Sequence, residues 1–434
     1  MSINCGIDWA EVHHDVALVD ENGTVVARKR IDTGTAGLTA LLEVIAESGG
    51  APGTTPIAIE TDKNLLVVAL VEAGFTVYPI NPRAVARYRE RHGQAGGKSD
   101  PGDAAILANI LRTDRAMHRP MPAISEHGRA IKALARQHQE AIWALYQTIS
   151  RLRSVLLEFY PGALQAFPNL KHRAAVAVLS AAPTPASGRA LIRRKVVALL
   201  HHSGRRNDPN LVERILRELK TPALGQPPQV EEALGHAVTG LLAVIASMQQ
   251  SVDSLENALG REFDSHPLAP ILRSAPGLGP ILAARVLAEV GDDPARFATA
   301  NGLRAFAGTA PITRASGRSH YVKARKVRNK RLGDACHWWA FVTLTKSAGA
   351  RAHYDKRRAA ATTTTPRCAT SPTSSSDACG GVCNTTNPGT TTPPGPTIRS
   401  RLNVTTAGAN RHLDRVRDEL GAHVVGDGPA HHPT

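Results

Sequence analysis

Two short apolar runs near the start of the chain each end on a carboxylate, and no other feature constrains the fold as tightly. Cys5-Gly6-Ile7 leads into Asp8, and Ile57-Ala58-Ile59 leads into Glu60. Runs this short and this apolar have the length of strands. Val16-Ala17-Leu18-Val19 follows Asp8, and Glu21-Asn22-Gly23 separates it from the run Val25 to Lys29. Asn-Gly tolerates positive φ, so that junction reads as a hairpin turn. Helical spacing from Leu38 to Ile45 precedes the Glu60 strand. A helix from Leu65 to Ala73 and a strand from Phe75 to Ile80 follow it, and Asn81-Pro82 closes that strand.

Hairpin-linked strands first, then alternating helices and strands, is the order of a ribonuclease-H-like sheet, which makes residues 1–115 an α/β domain. Lys98-Ser99-Asp100-Pro101-Gly102-Asp103-Ala104 then opens an apolar-periodic helix through Ile106, Leu107, Ile110 and Leu111. Asp100 and Asp103 are three apart and so share one side of it. Carboxylates at two strand ends and on one helical turn can converge on a pair of Mg²⁺ ions. Such a pair activates a nucleophile and stabilises the leaving oxygen in phosphoryl transfer. Taken singly, Asp8, Glu60, Asp100 and Asp103 would each read as a solvated turn residue or a helix cap. The ensemble is the signal.

At 434 residues the chain is long enough for two or three domains. Lys and Arg (52) exceed Asp and Glu (37) by 15, and the pI is near 10.0. A surplus of that size favours a polyanionic partner, nucleic acid before membrane. No apolar stretch is expected to span a bilayer, and Met1-Ser2-Ile3-Asn4 does not open a signal peptide. The five cysteines lack metal-binding spacing; Cys5 and Cys336 read as small core residues. A reducing bacterial cytoplasm is the expected compartment.

Residues 125–262 read as a long helical, coiled-coil-like middle. Ile131, Leu134, Ile142, Leu145, Ile149, Leu152 and Leu156 recur at helical spacing, as do Leu241, Leu242, Ile245, Met248, Val252 and Leu255. An ordinary helical insert and an oligomerisation arm are equally open readings. Between the two stretches lie Arg189, Arg193, Arg194, Lys195, Arg205 and Arg206, either a solvated face or a nucleic-acid surface.

Residues 266–358 carry a second signature. Pro276-Gly277-Leu278-Gly279-Pro280 joins two helical runs in the manner of a helix-hairpin-helix motif, where Gly277 and Gly279 let backbone N–H groups approach phosphate. Gly-x-Gly turns also occur for purely steric reasons. Between Asp293 and Asp334 there is no acidic residue, while ten Lys or Arg fall there, including Arg314, Arg318, Lys323, Arg325, Lys326, Arg328, Lys330 and Arg331. That bias reads as a DNA path. Within it, Ser316-Gly317 is flanked by Arg314 and Arg318. A serine attacking a phosphodiester needs deprotonation and charge neutralisation, which metal ions or arginines supply, although Ser-Gly is usually only a turn.

With these residues in view, the chain resembles the insertion-sequence-110 family, the DEDD transposases. The matching pieces are Gly6-Ile7-Asp8, Glu60-Thr61, Asn81-Pro82, Lys98 through Ala104, Pro276 through Pro280, and Ala307-Gly308-Thr309-Ala310-Pro311 through Ser316-Gly317, in family order across residues 1 to about 358. The resemblance implies a RuvC-like domain whose metal site falls on Asp8, Glu60, Asp100 and Asp103. It implies a small helical C-terminal transposase domain in which Ser316 forms a covalent link to DNA. It further implies homodimers or homotetramers with an active site shared between protomers, and a structured non-coding guide RNA pairing with donor and target DNA. Asp62-Lys63-Asn64 departs from the family, which has glycine or another small residue before an aromatic there, so an altered start is expected for the following helix while the four acids are intact. A RuvC-like structure-specific nuclease using water, and an inactive nucleic-acid-binding remnant, stand as alternatives.

Residues 361–434 are rich in Thr, Pro and Gly without periodicity, which reads as a disordered tail. Shifting the codon frame across residues 360 to 390 permits an apolar, helical string resembling the family's C-terminal helix. A frameshift near Ala360 is therefore the favoured expectation.

Overall fold

In a computed structural model the chain folds as two compact units, the first from Met1 to Ala123 and the second from Ile124 onward. The structure describes residues 2–92, 99–205, 208–317 and 319–363. Cys368, Cys379, Cys383 and nearly all of the expected tail lie outside the described residues.

The first unit is built on β1 (Asn4–Trp9), β2 (His13–Val19), β3 (Val25–Asp32), β4 (Ile57–Ile59) and β5 (Val77–Pro79), in the order β3-β2-β1-β4-β5. The first three strands are antiparallel neighbours; β4 and β5 run parallel to β1. This is the ribonuclease-H-like order. The β2–β3 turn forms where Asp20 accepts from the amides of Asn22 (2.9 Å) and Thr24 (2.8 Å), with Gly23 at φ 90°.

Alternation along β1 sends Cys5 and Ile7 to one face of the sheet and Gly6 and Asp8 to the other. Helices α1 (Thr35–Glu47) and α2 (Leu65–Glu72) bury Leu41, Ile45, Val67 and Leu70 against Cys5, Ile7, Leu18, Ile57 and Ile59. Asn64 begins α2 by accepting from the Val67 amide at 2.8 Å, so the unusual Asp62-Lys63-Asn64 segment still supplies a cap. Helices α3 (Pro82–His92) and α4 (Asp100–Asp114) lie on the opposite face, with Val85, Leu107, Ile110 and Leu111 over Ala58 and Ile80.

That face is lined by small residues. Ala17, Gly6 and Ala58 stand in one row across β2, β1 and β4. A Cβ on Gly6 would lie 2.0 Å from the Ala104 carbonyl and 2.4 Å from the Ala108 nitrogen. The absence of side chain at Gly6 therefore lets the α4 backbone rest directly on the sheet.

In the second unit, α5 (Glu126–Phe159) and α11 (Pro228–Asp264) pack along one another. Toward one end, Leu145, Leu152 and Leu156 with Val238, Leu242 and Ile245 share a core with α6 (Pro161–Ala166), α7 (Arg173–Ala181), α9 (Arg193–His202) and α10 (Pro209–Lys220), and the short α8 (Pro185–Arg189) packs on α10. Toward the other, Ile131, Ala135, Leu259 and Phe263 share one with α12 (Ala269–Ser274), α13 (Pro280–Val290), α14 (Ala300–Ala307) and α15 (Lys330–Lys346). The two helical stretches read from periodicity thus become one antiparallel pair, each member carrying residues of both cores.

Two expectations need amending. The C-terminal region is not wholly helical: β6 (Ile312–Ser316) and β7 (Ser319–Lys323) form an antiparallel hairpin whose nearly continuous exposure leaves no apolar alternation to announce it. By length and composition α11 is apolar enough to cross a membrane, against the reading that no stretch is. Its buried stripe of Val238, Leu242 and Ile245 packs as a core helix does. The described residues close on α16 (Ala348–Thr363). Cys5 and Cys336 are fully buried free thiols, and burial pushes the Cys336 pKa up to about 12.

Candidate active site

One step along the sheet from the small-residue row stands a row of charges. Asp8 on β1 is the register partner of Asp15 on β2, which is in turn the partner of Arg30 on β3. On the other side, Cys5, Gly6 and Ile7 pair in parallel with Ile57, Ala58 and Ile59, so the next position sets Glu60 beside Asp8. Adjacent strands lie about 4.8 Å apart, so the two carboxylate positions are close neighbours. All four residues occupy the face that carries Ala17, Gly6 and Ala58, the face on which α4 rests. Asp8 and Glu60 are half-buried.

The first turn of α4 adds two acids to this face. Asp103 is buried and ion-paired to Arg89 of α3, whose Nε donates at 3.0 Å. Asp100 is exposed and turns toward β2: its carboxylate, that of Asp15 and the His13 imidazole lie within 4.8 Å of one another. Among the described residues no other set of three potential ligand groups is that tight. Asp100 and Asp103 thus share a helix side yet reach different partners.

His13 and Asp15 did not emerge from the sequence. The available signal was their i, i+2 spacing with Ala17, which puts all three on one face of β2. Asp15 is already held by Arg30, whose Nε and terminal nitrogen donate at 3.1 and 2.9 Å. Hydrogen bonding to Asp15, then the charges of Asp15 and Asp100, raises the Arg30 pKa against slight desolvation. Asp15 is therefore charge-compensated. The four acids expected from the sequence, Asp8, Glu60, Asp100 and Asp103, offer only hard carboxylate oxygen, the donor type of Mg²⁺ and Mn²⁺. That donor type suits a divalent cation, but the tight group in the structure joins Asp100 to Asp15 and His13 rather than to the other three carboxylates, and Asp103 is paired with Arg89.

In the second unit the Pro276–Pro280 turn is clasped by α15. Trp339 Nε1 and Thr343 Oγ1 donate to the Pro276 carbonyl at 2.9 and 3.1 Å. Gly277 has φ 83°, and a Cβ there would sit 3.0 Å from the Thr343 amide, so this glycine answers a packing need. Gly279, by contrast, caps α13 with open space beside it.

The basic segment springs from two anchors. Gly308 ends α14 in the left-handed conformation, and Asn329 starts α15 by accepting from the Leu332 amide at 3.0 Å. The Asn329 side chain also donates to Glu289 at 2.7 Å, and Glu289 is buried in a two-bond pair with Arg136. Between these anchors the β6–β7 hairpin stands in solvent. Ser316 is the last residue of β6, exposed, paired in register with Ser319 across the turn at Gly317. Arg314, Lys323, Lys326 and Lys330 are exposed. Arg325 donates to the Ala310 carbonyl at 3.4 Å, and the stem of Arg328 covers Gly308. Arg331 is engaged within the fold: it pairs with Glu140, donates to Gln139 at 3.2 Å and lies over the Trp143 ring. Arg318 lies outside the described residues.

A ribonuclease-H-like sheet with a carboxylate row at its strand ends defines the class to which the first unit belongs. Comparison with known proteins narrows that class. A family model described as a DEDD transposase of IS110 matches residues 5–161, and one described as the transposase IS116/IS110/IS902 family matches residues 269–355. A protein of Streptomyces coelicolor, named as the transposase for the mini-circle IS117, is 48% identical over 364 residues, covering 82% of this chain and 88% of the relative. A 43.6 kDa protein of insertion element IS110 from the same species is 27% identical over 360 residues, covering 82% and 87%. The chain belongs to the IS110 family of transposases, enzymes that act on DNA. Thermus thermophilus RuvC bound to a Holliday junction aligns with 28% of this chain and 100% of its own at 18% identity, with a TM-score of 0.22, too slight a likeness to carry an argument.

Proposed function

We propose that this transposase cuts and rejoins the DNA of its insertion sequence using Mg²⁺ held by Asp8, Glu60, Asp100 and Asp103, with Ser316 as the nucleophile. What supports the reading is the parallel register of β1 and β4, which ends at Ile7 and Ile59, one residue before Asp8 and Glu60, on the sheet face where α4 carries Asp100 and Asp103 in its first turn. Bound there, Mg²⁺ supplies charge neutralisation at the scissile phosphate and its leaving oxygen. The chain's own residues do the rest. Gly6 admits the α4 backbone close against the sheet, and Asp103, now paired with Arg89, would be one of the carboxylates holding the cation.

Ser316 loses its proton to water as Oγ bonds to phosphorus. The P–O bond to the departing strand breaks, and that oxygen takes up a proton. Arg314 flanks the serine in sequence, and the exposed Lys323, Lys326 and Lys330 supply a sequence-independent grip on phosphates. Gly279 offers open space at a helix start for the same purpose. The family resemblance extends the proposal to a homodimer or homotetramer and to a structured non-coding RNA that selects the DNA.

The test is a denaturant-stable protein–DNA adduct formed on element-end DNA in Mg²⁺. Ser316→Ala should remove the adduct and the recombinant product while leaving DNA binding intact, whereas Ser319→Ala should retain both. Asp8→Ala should lower strand cleavage by ~100-fold or more with the fold preserved, because a crowded carboxylate row loses repulsion when one acid goes. Cleavage that survives Ser316→Ala without an adduct would favour a water-using RuvC-like nuclease.

A further inference from the structure

A cavity of about 690 Å³ opens inside the second unit, among α5, α11, α13, α15 and the start of α7. Its volume is that of a small-molecule site, and it has no part in the chemistry proposed above. Three large aromatic side chains line it while keeping much of their surface exposed: Trp143 (37%), Tyr146 (47%) and Trp338 (49%). Soluble proteins seldom gather so much unburied aromatic surface at one opening without a use for it.

The floor is polar and incompletely satisfied. His138 is 1% exposed, and burial, then the neighbouring Arg285, lowers its pKa to about 4, so it is neutral near pH 7. Arg285 approaches the His138 Nδ1 at 3.5 Å, which makes Nδ1 the acceptor and leaves the proton on Nε2. That Nε2–H faces Glu256 at 3.8 Å, beyond hydrogen-bond reach. Among the described residues, His138 Nε2 and Arg285 Nε are both buried without a hydrogen-bond partner. Two buried donors left unmet are costly, and a ligand could bring acceptors to them once the side chains turn toward the cavity they line. Acceptors of the protein's own, Glu256 and Asp334, line the same cavity.

We propose that this cavity receives one unstacked guanine base from a single-stranded segment of nucleic acid. The inference rests on the reading that the chain acts on nucleic acid. Guanine presents two adjacent acceptors, N7 and O6, to meet the paired donors, and it offers N1–H and the N2 amino group to a carboxylate such as Glu256. No other natural base combines those two features. Trp338 and Trp143 supply the stacking surfaces that replace the base's neighbours in the strand. Lys171, whose ammonium lies 5.4 Å from the Tyr146 ring centre, stands at the rim for the flanking phosphate.

The test uses the full chain and nine-nucleotide strands, DNA and RNA, of thymidine or uridine with one central position varied. A central guanosine should bind at least tenfold more tightly than a central pyrimidine or adenosine, with quenching of tryptophan fluorescence. Central 7-deazaguanosine, which lacks one acceptor, should lose most of that gain on the unaltered protein. Glu256→Gln and Trp338→Ala should each erase the gain without changing background affinity, and Trp338→Phe should restore part of it. A gain confined to the DNA or to the RNA series identifies which strand is read. Equal affinity for all central bases, or a gain that survives both substitutions, overturns the proposal. Duplex binding and the Ser316 adduct, measured on the same preparations, keep the outcomes separate. If both hold while guanosine preference is absent, only this cavity's role falls; if both fail, the transposase mechanism falls first.

Discussion

Two residues outside the carboxylate row show how single side chains control this molecule. Gly6 sits where any Cβ would strike the α4 backbone, and a backbone carbonyl 2.0 Å away cannot rotate aside as a side chain can. Gly6→Ala should therefore cost at least the ~1–3 kcal/mol typical of overpacking and should shift Asp100 and Asp103 off the sheet. Calorimetry and cleavage assays should both register the loss; an unchanged melting temperature would refute the close-approach account. His138 makes a pH prediction. Its folded pKa is about 4 against an ordinary 6.5, so between those values the unfolded chain binds a proton that the folded one refuses. The stabilisation is complete above about pH 6.5 and is lost as pH falls toward 4, by up to roughly 3 kcal/mol. His138→Gln should flatten the fall of melting temperature across that window. A slope that persists unaltered would assign it elsewhere, with His266, likewise lowered by burial, the first suspect.

At the scale of elements, the basic segment from Arg314 to Arg331 divides in a way that composition alone does not show. Arg314, Lys323, Lys326 and Lys330 are exposed, whereas Arg331 ties α15 to α5 through Glu140, Gln139 and Trp143. Changing the first four together to Gln should flatten the salt dependence of duplex binding, by roughly 0.9 in the log–log slope for each phosphate no longer neutralised. Arg331→Gln should leave that slope nearly intact and lower thermal stability instead. The reverse pattern would mean that the lysines are a solvated face and that Arg331 grips the DNA. The hairpin carrying Ser316 went unread in the sequence for a related reason: a strand pair with no buried face has no apolar alternation to detect.

For the whole molecule, the proposed sharing of one active site between protomers has a direct consequence. Asp8→Ala supplies an intact Ser316, and Ser316→Ala supplies intact carboxylates. Mixed and allowed to assemble, these two inactive chains should recover adduct formation, because a composite site then has every part. Activity should reach at most about half that of the parent, since only one composite site of each pair is complete. No recovery at any mixing ratio would place both parts of the site within a single chain.

The sequence by itself determined the order of strands and of every helix but α3 in the first unit, the four carboxylate candidates and the two long helices, because strand and helix periodicities and strand-end acids are local signals. The Asn22-Gly23 turn and the periodic stripes of α5 and α11 belong to the same kind of information. Only the tertiary structure decided which charges share a face. Asp15 stood outside the run read from Val16 to Val19 until antiparallel pairing set it opposite Asp8 and Arg30, and Arg89 became the partner of Asp103 only when α3 came to lie beside α4. The cavity around His138 and Arg285 likewise draws its walls from helices far apart in the chain. Register and helix packing join distant residues, and no local pattern encodes such a meeting.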